Sequence, residues 1–313
     1  MATFDIEISE VGPRDGLQSI TSIMTTERKR AWIDALAAAG IPEIEVGSFV
    51  PAKILPQLAD TAELVSYATK IEHLSVTVLV PNLRGAQNAM QVSPTRMSIP
   101  FSVSETHSMR NVKRNHIQML QEVKNIAILI KSFPKELRPK FEGGLATAFG
   151  CGIEGNISED KVVSLAVSLM EAGCDGVGLS DTTGSGNPLQ VKRLIKKVWQ
   201  AVGKENLTGI HLHNTRGQGL ANVLAAIETG ITTIDSSMGG LGGCPAATGA
   251  SGNIVTEDLV FMLEAMGLKT GVNLERLFVA REILANALPN ETLYGFTPNS
   301  GLPKGFAYAS QRD

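Results

Sequence analysis

GVGLSDTTGSGNPLQVKRLIKKVWQAVGKENLTGIHLH, residues 176–213, decides the fold. A short apolar run, Gly176–Ser180, ends in the polar turn Asp181-Thr182-Thr183-Gly184. Pro188 then opens an amphipathic stretch to Val202, Gly203 closes it, and a second apolar run follows at Gly209–His213. Proline at the first helical position and glycine just past the last are the expected punctuation of a helix. Strand, helix and strand in this order form a βαβ unit, which requires parallel strands.

Working outward, the same rhythm predicts strands at Ile6–Val11, Glu43–Val46, Ser75–Val80, Met97–Phe101, Phe141–Thr147 and Thr232–Ser236. Helical patterns fall at Thr25–Ala39, Asn111–Ser132, Ser158–Ala172 and Gly217–Thr229. Strands buried between helices read as short continuous apolar runs, as these do. Eight units predict a closed (β/α)8 TIM barrel in preference to a doubly wound sheet. Beyond Asp258 the patterns Leu259–Met266 and Asn273–Ala287 are helical. The expectation is one domain over residues 1–313, with a barrel at about 4–258 and a C-terminal helical extension at about 259–313.

Composition excludes several classes. A chain that is 43% hydrophobic and 19% charged has the makings of a large core and is not disordered. With 28 basic against 31 acidic residues it is no general nucleic-acid binder, whose affinity rests on neutralising phosphates. Three cysteines, Cys151, Cys174 and Cys244, make a poor disulfide framework and point to a reducing compartment. No apolar run is long enough to span a membrane, so a soluble, cytoplasmic protein is expected.

Active sites of such barrels lie at the C-terminal ends of the strands. Polar groups gather there. The first strand leads into Arg14-Asp15-Gly16-Leu17-Gln18, the second carries Glu45, the sixth leads into Asp181-Thr182, and the seventh ends in His211-Leu212-His213. After the eighth come Gly239-Gly240-Leu241-Gly242-Gly243-Cys244-Pro245 and Gly249-Ala250-Ser251-Gly252-Asn253. In a strand, residues two apart project to one side, so the two imidazoles would converge. Two readings stand: half a metal site, or two histidines hydrogen-bonded in a polar interior. Asp15 favours the metal, because the first strand closes on the eighth and lies one strand from the seventh. Two nitrogens, a carboxylate and one amide oxygen would suit Mg²⁺ or Mn²⁺, with Zn²⁺ the other option. Arg14 reads either as a structural ion-pair partner or as a clamp for a carboxylate or an enolate oxygen. The glycine loop reads either as a crossover or as a lid that carries a thiol.

Segments 11–18, 45–57, 211–222 and 240–257 resemble the hydroxymethylglutaryl-CoA lyase family. Val-Gly-Pro-Arg-Asp-Gly-Leu-Gln stands at 11–18, Ser-Phe-Val-x-x-Lys-x-x-Pro-Gln at 48–57, and Gly-Leu-Gly-Gly-Cys-Pro at 240–245. The resemblance covers essentially the whole chain. It implies that Asp15, His211, His213 and Asn253 bind a divalent cation, and that Arg14 stabilises a thioester enolate. It also implies that Cys244 lies on a closing loop and that Gln18, Glu45 and Asp181 belong to the surrounding site. His211 or Asp181 would take the hydroxyl proton, and Cys244 is a candidate proton donor. The implied reaction is retro-Claisen cleavage of a 3-hydroxyacyl-CoA to acetyl-CoA and a keto acid, within leucine degradation. Expected partners are the acyl-CoA substrate and, as a homo-oligomer of two or more chains, further copies of the protein.

Departures from the family pattern mark the rim. A usual lysine is absent around Thr21, the motif after His213 reads Asn214-Thr215-Arg216-Gly217, and Cys244-Pro245 is followed by Ala246-Ala247. Basic residues of a later CoA-contacting segment are absent from Leu288-Pro289-Asn290-Glu291. These changes predict a shift away from hydroxymethylglutaryl-CoA toward another 3-hydroxy-dicarboxyl thioester. Two other functions compete: a Claisen-type synthase or aldolase acting on a 2-oxo acid, and a degenerate barrel kept as a binding protein.

Overall fold

The structure is a computed structural model that describes residues 4–242 and 252–312. Its eight parallel strands are β1 (Glu7–Glu10), β2 (Glu43–Ser48), β3 (Ser75–Leu79), β4 (Arg96–Ser102), β5 (Lys140–Ala146), β6 (Gly176–Ser180), β7 (Gly209–His211) and β8 (Thr233–Ser236). They are hydrogen-bonded in chain order, and β8 closes on β1 through Ser9 opposite Asp235. The chain is therefore a TIM barrel, with helices between its strands and more helices after the last.

Strand alternation explains the layering. Ile8, Ile44, Val46, Val76, Val78, Ile99 and Phe101 are fully buried between the barrel wall and the surrounding helices. The intervening residues face the barrel axis. Caps set the helix starts: Asn187 accepts from the Gln190 amide ahead of Pro188, and Asn115 forms a capping box with Gln118.

The helix expected over 111–132 begins later, at His116, and runs to Lys131, while Asn111 closes a separate helix, Glu105–Asn111, that was not expected. Lys113 adopts a left-handed conformation (φ 55°), which stops the first helix, and the Asn115 cap starts the second. Three short helices carry too few turns for a periodic signal: Thr61–Ala68, Leu83–Met90 and Thr297–Ser300. In the C-terminal extension, helix Leu274–Ala287 lies beside helix Thr26–Ala38. The Asn273 amide donates to Ala39 O (2.8 Å) and Arg276 Nη1 to Ala38 O (3.0 Å). Among the described residues no helix is long and apolar enough to cross a membrane.

Candidate active site

The turn after β1, Gly12–Gly16, begins with Pro13 in its first positions and lifts Arg14 and Asp15 to the C-terminal mouth. Across the mouth stands the His-x-His pair. The strand expected to reach His213 ends at His211, where the His211 carbonyl accepts from the Asp181 amide (2.8 Å). His213 leaves the ladder and forms an antiparallel bridge with Asn253, which brings that asparagine to the histidines. The imidazoles converge nonetheless, with His211 Nε2 3.0 Å from His213 Nε2 and 3.9 Å from Asp15 Oδ2. Ligand atoms of Asp15, His211 and His213 all lie within 4.8 Å of one another.

This donor set fits a divalent cation on three observations. Asp235 on β8, the ladder neighbour of His211, meets His211 Nδ1 at 3.1 Å. A carboxylate there fixes Nδ1 as the N–H, so the lone pair is on Nε2 and points at the other imidazole. His213 Nδ1 is buried with no partner, so its Nε2 either donates to that lone pair or, with its own lone pair there, shares a cation with it. The third observation is that Asn253 Oδ1 is buried with no partner, while its Nδ2 donates to Asp15 Oδ2 (2.8 Å) and Leu241 O (3.1 Å). Burial alone would raise the Asp15 carboxyl, but Arg14, the two histidines and the Asn253 bond outweigh it and bring it to about 2. His213 is pushed down to about 4 by burial and then by the neighbouring His211. Burial also lowers His211, yet Asp235 and Asp15 together leave it raised.

Arg14 is clamped. Its Nε and Nη2 both meet Glu45 Oε2 at 2.6 Å, and Nη1 donates to Asp15 Oδ1 (2.7 Å). N–H groups on Nη1 and Nη2 remain for a substrate oxygen, held in a fixed plane. Burial raises the Glu45 carboxyl even against the charge of Arg14. Gln18 Nε2 donates to Asp15 Oδ1 (3.1 Å) and steadies the same carboxylate. Asp181 stands apart: both its oxygens accept backbone amides, from Ser185 and Gly186 (2.9 Å each), and the residue is fully buried. On the rim, exposed Arg216 donates from Nη1 to Thr183 O (2.7 Å) and Gly184 O (3.0 Å). Thr21 is exposed and precedes Ser22, which donates to Glu291 Oε1 (2.5 Å). Cys244 lies outside the described residues.

Sequence reasoning missed the groups that hold these residues. Asp235 was within reach, because it is an inward position of the predicted eighth strand. Glu10 gave no such signal: its fully buried carboxyl group accepts the Gly12 and Met238 amides (2.9 Å each) and the Thr256 hydroxyl (2.6 Å). Glu257 accepts the Gly239 amide (3.0 Å) and pairs with Arg281 (2.6 Å). Together they fix the turn Met238–Gly240 that follows β8. A cavity of about 210 Å³ descends from Arg14, Asp15, His211 and His213 along the barrel axis.

A closed barrel whose carboxylate, imidazoles and guanidinium meet at the C-terminal mouth belongs to the barrel enzymes that work through a bound cation. The HMGL-like family matches residues 5–284, and the chain belongs to that family of lyases. The chain is similar to the mitochondrial hydroxymethylglutaryl-CoA lyase of Mus musculus, with 39% identity over 287 residues, 92% of this chain and 87% of that one. Among solved structures, the HMG-CoA lyase of Bacillus subtilis superposes with a TM-score of 0.89 at 34% identity, covering 95% of this chain and 98% of that one. An HMG-CoA lyase of Acinetobacter baumannii, in complex with coenzyme A and 3-methylmalate, does so with a TM-score of 0.89 at 38% identity, over 98% and 99%.

Proposed function

We propose that the chain cleaves 3-hydroxy-3-methylglutaryl-CoA, or a related 3-hydroxyacyl-CoA, to acetyl-CoA and a keto acid by a retro-Claisen reaction that depends on Mg²⁺ or Mn²⁺. The observation that carries this reading is the convergence of Asp15, His211, His213 and the unpartnered Asn253 Oδ1 beside a clamped Arg14. The Acinetobacter relative, solved in complex with coenzyme A and 3-methylmalate, supports an acyl-CoA substrate. A cytoplasmic enzyme of leucine degradation is the finer form of this reading.

The chemistry needs two charge stabilisers. Breaking the C2–C3 bond sends its electron pair into the thioester as an enolate, while the 3-hydroxyl loses its proton. A divalent cation held by Asp15, His211, His213 and Asn253 would lower the hydroxyl's pKa and fix the substrate's oxygens. Arg14 presents its remaining N–H groups to the enolate oxygen, where one preorganised donor is worth about 3 kcal/mol. Glu45 and Asp15 keep that guanidinium from reorienting as charge develops. Asp181 is engaged by two amides, so His211 is the better-placed acceptor for the hydroxyl proton. Its single Nε2 lone pair can hold a cation or take a proton but not both, so His211 acts as the acceptor only where Asp15, His213 and Asn253 hold the cation without it. Cys244 would return a proton to the acetyl-CoA carbanion.

The test is a panel of 3-hydroxyacyl-CoA thioesters assayed with chelated protein and after adding back Mg²⁺ or Mn²⁺. Acetyl-CoA release restored only by a cation is expected. Full turnover by metal-free protein would remove the metal, and acetyl-CoA consumed with a 2-oxo acid would reverse the reaction assigned.

A further inference from the structure

TIM-barrel interiors are ordinarily filled by layers of bulky branched side chains. This one is not. Below the histidines the inward positions are Ser9, Thr77, Ser98, Gly144, Gly178 and Thr233, and they line the same cavity as Arg14 and Asp15. Its floor is Glu43, Arg96 and Glu142, with Arg96 3.3 Å from Glu43 and 3.2 Å from Glu142. From Ala146 at the mouth to Glu142 is four steps along β5, so the floor lies about 10 Å down the axis once strand tilt is allowed for.

Two features of the wall bear on what the space can hold. Thr77 is 6% exposed, lies on the cavity wall, and its hydroxyl has no hydrogen-bond partner. A buried hydroxyl left unmet costs about 1–3 kcal/mol, so a polar atom belongs beside it. At Gly144 an added Cβ would meet nothing closer than Ile99 O at 3.7 Å, so packing does not demand the glycine there. The polarity then selects the occupant. Arg96 pairs with two carboxylates, although its Nε makes no hydrogen bond, and Asp235 faces the same cavity, so the lower chamber sets three acidic side chains against one basic one.

We infer that the lower barrel interior is a subsite for the end of a long substituent on C3 of the 3-hydroxyacyl thioester, one that donates hydrogen bonds through a hydroxyl or an ammonium group. This rests on the lyase reading above and names the substrate class for it. A methyl group at C3 leaves the chamber unfilled. A carboxylate would face Glu43, Glu142 and Asp235. An apolar chain would leave Thr77 unmet.

The experiment compares kcat/KM for four thioesters: 3-hydroxy-3-methylglutaryl-CoA and three analogues with equally lengthened C3 substituents, ending in hydroxyl, ammonium or methyl. The wild-type protein is expected to prefer a hydroxyl or ammonium end over the methyl end by at least about tenfold. Gly144→Leu, which fills the chamber, should cut the ratio of long-tail to hydroxymethylglutaryl-CoA activity by about 10². Thr77→Val, nearly isosteric, should reduce the polar preference several-fold and guards against misfolding of the leucine variant. Equal or better cleavage of the methyl-ended tail overturns the inference, as does a Gly144→Leu effect equal on all substrates. Cleavage of hydroxymethylglutaryl-CoA without any tail preference sinks the subsite and leaves the lyase reading standing. No cleavage of any thioester sinks both.

Discussion

The two faces of the barrel wall differ in most of what they carry. Outward, β1 to β4 present Ile8, Ile44, Val46, Val78, Ile99 and Phe101 to the helices with no exposed surface. Inward, the same strands present Ser9, Glu45, Thr77, Ser98 and Arg96 to a cavity. Alternation therefore divides the work residue by residue: stability resides in the strand–helix layer, and the axis is left free for charge and space. A protein whose fold does not depend on filling its own axis can place buried ions there.

Four substitutions test that division, from the largest expected effect downward. Phe101→Ala opens the outer layer beneath His116, whose ring stacks 5.4 Å away, and should cost about 3–5 kcal/mol in denaturant unfolding. A loss below about 1 kcal/mol would mean that the outer layer does not dominate stability. Arg14→Ala, on the inner face, should lower kcat by about 10²–10³ while cation binding, measured by titration, stays within about tenfold. Glu45, its burial no longer offset by the guanidinium, should then take up a proton. Unchanged kcat would return Arg14 to a structural ion pair. Asp235→Asn should weaken cation affinity by about 10–100-fold, because the His211 tautomer is no longer enforced by a charge. Wild-type affinity would show that Asp235 does not orient the ligand.

The smallest effect concerns Glu10, whose carboxyl burial pushes up to about 8 despite three hydrogen bonds. Between the ordinary value of 4.5 and about 8, the folded protein holds a proton that the unfolded chain has lost. Stability must therefore fall as pH rises through that window. Glu10→Gln removes this contribution, so the fall in Tm from pH 5 to pH 8 should be smaller than in wild type by on the order of 2–5 °C. Parallel Tm curves would show that Glu10 is ionised in the folded state.

Legibility follows the same division. The eight strands were readable because each outward apolar run is short and bounded by turns, and β6 with helix Pro188–Val202 matched residue for residue. Asp15, His211 and His213 were readable because a strand end and a two-residue spacing fix where side chains go. Asn253 entered only through family resemblance, since its approach to His213 depends on an antiparallel bridge formed after the chain leaves β8. Glu10, Glu257 and the Glu43–Arg96–Glu142 group were not readable. Each is an ordinary surface residue type, and its burial is decided by partners on distant elements.

The grip on the turn after β8 has a mechanical consequence. Gly239, at φ 64°, is held through its amide by Glu257 and through its carbonyl by the Tyr294 amide (2.7 Å), while Glu10 holds the preceding amide. The chain thus leaves toward Gly242 from a bearing fixed to β1 on one side and to the C-terminal extension on the other. The turn Met238–Gly240 is thereby tied to both at once. Arg281, which braces Glu257 from helix Leu274–Ala287 and also holds Tyr294 O (2.8 Å), is part of the mounting. A change on that outer helix can therefore shift the alignment of the mouth without ever touching the substrate.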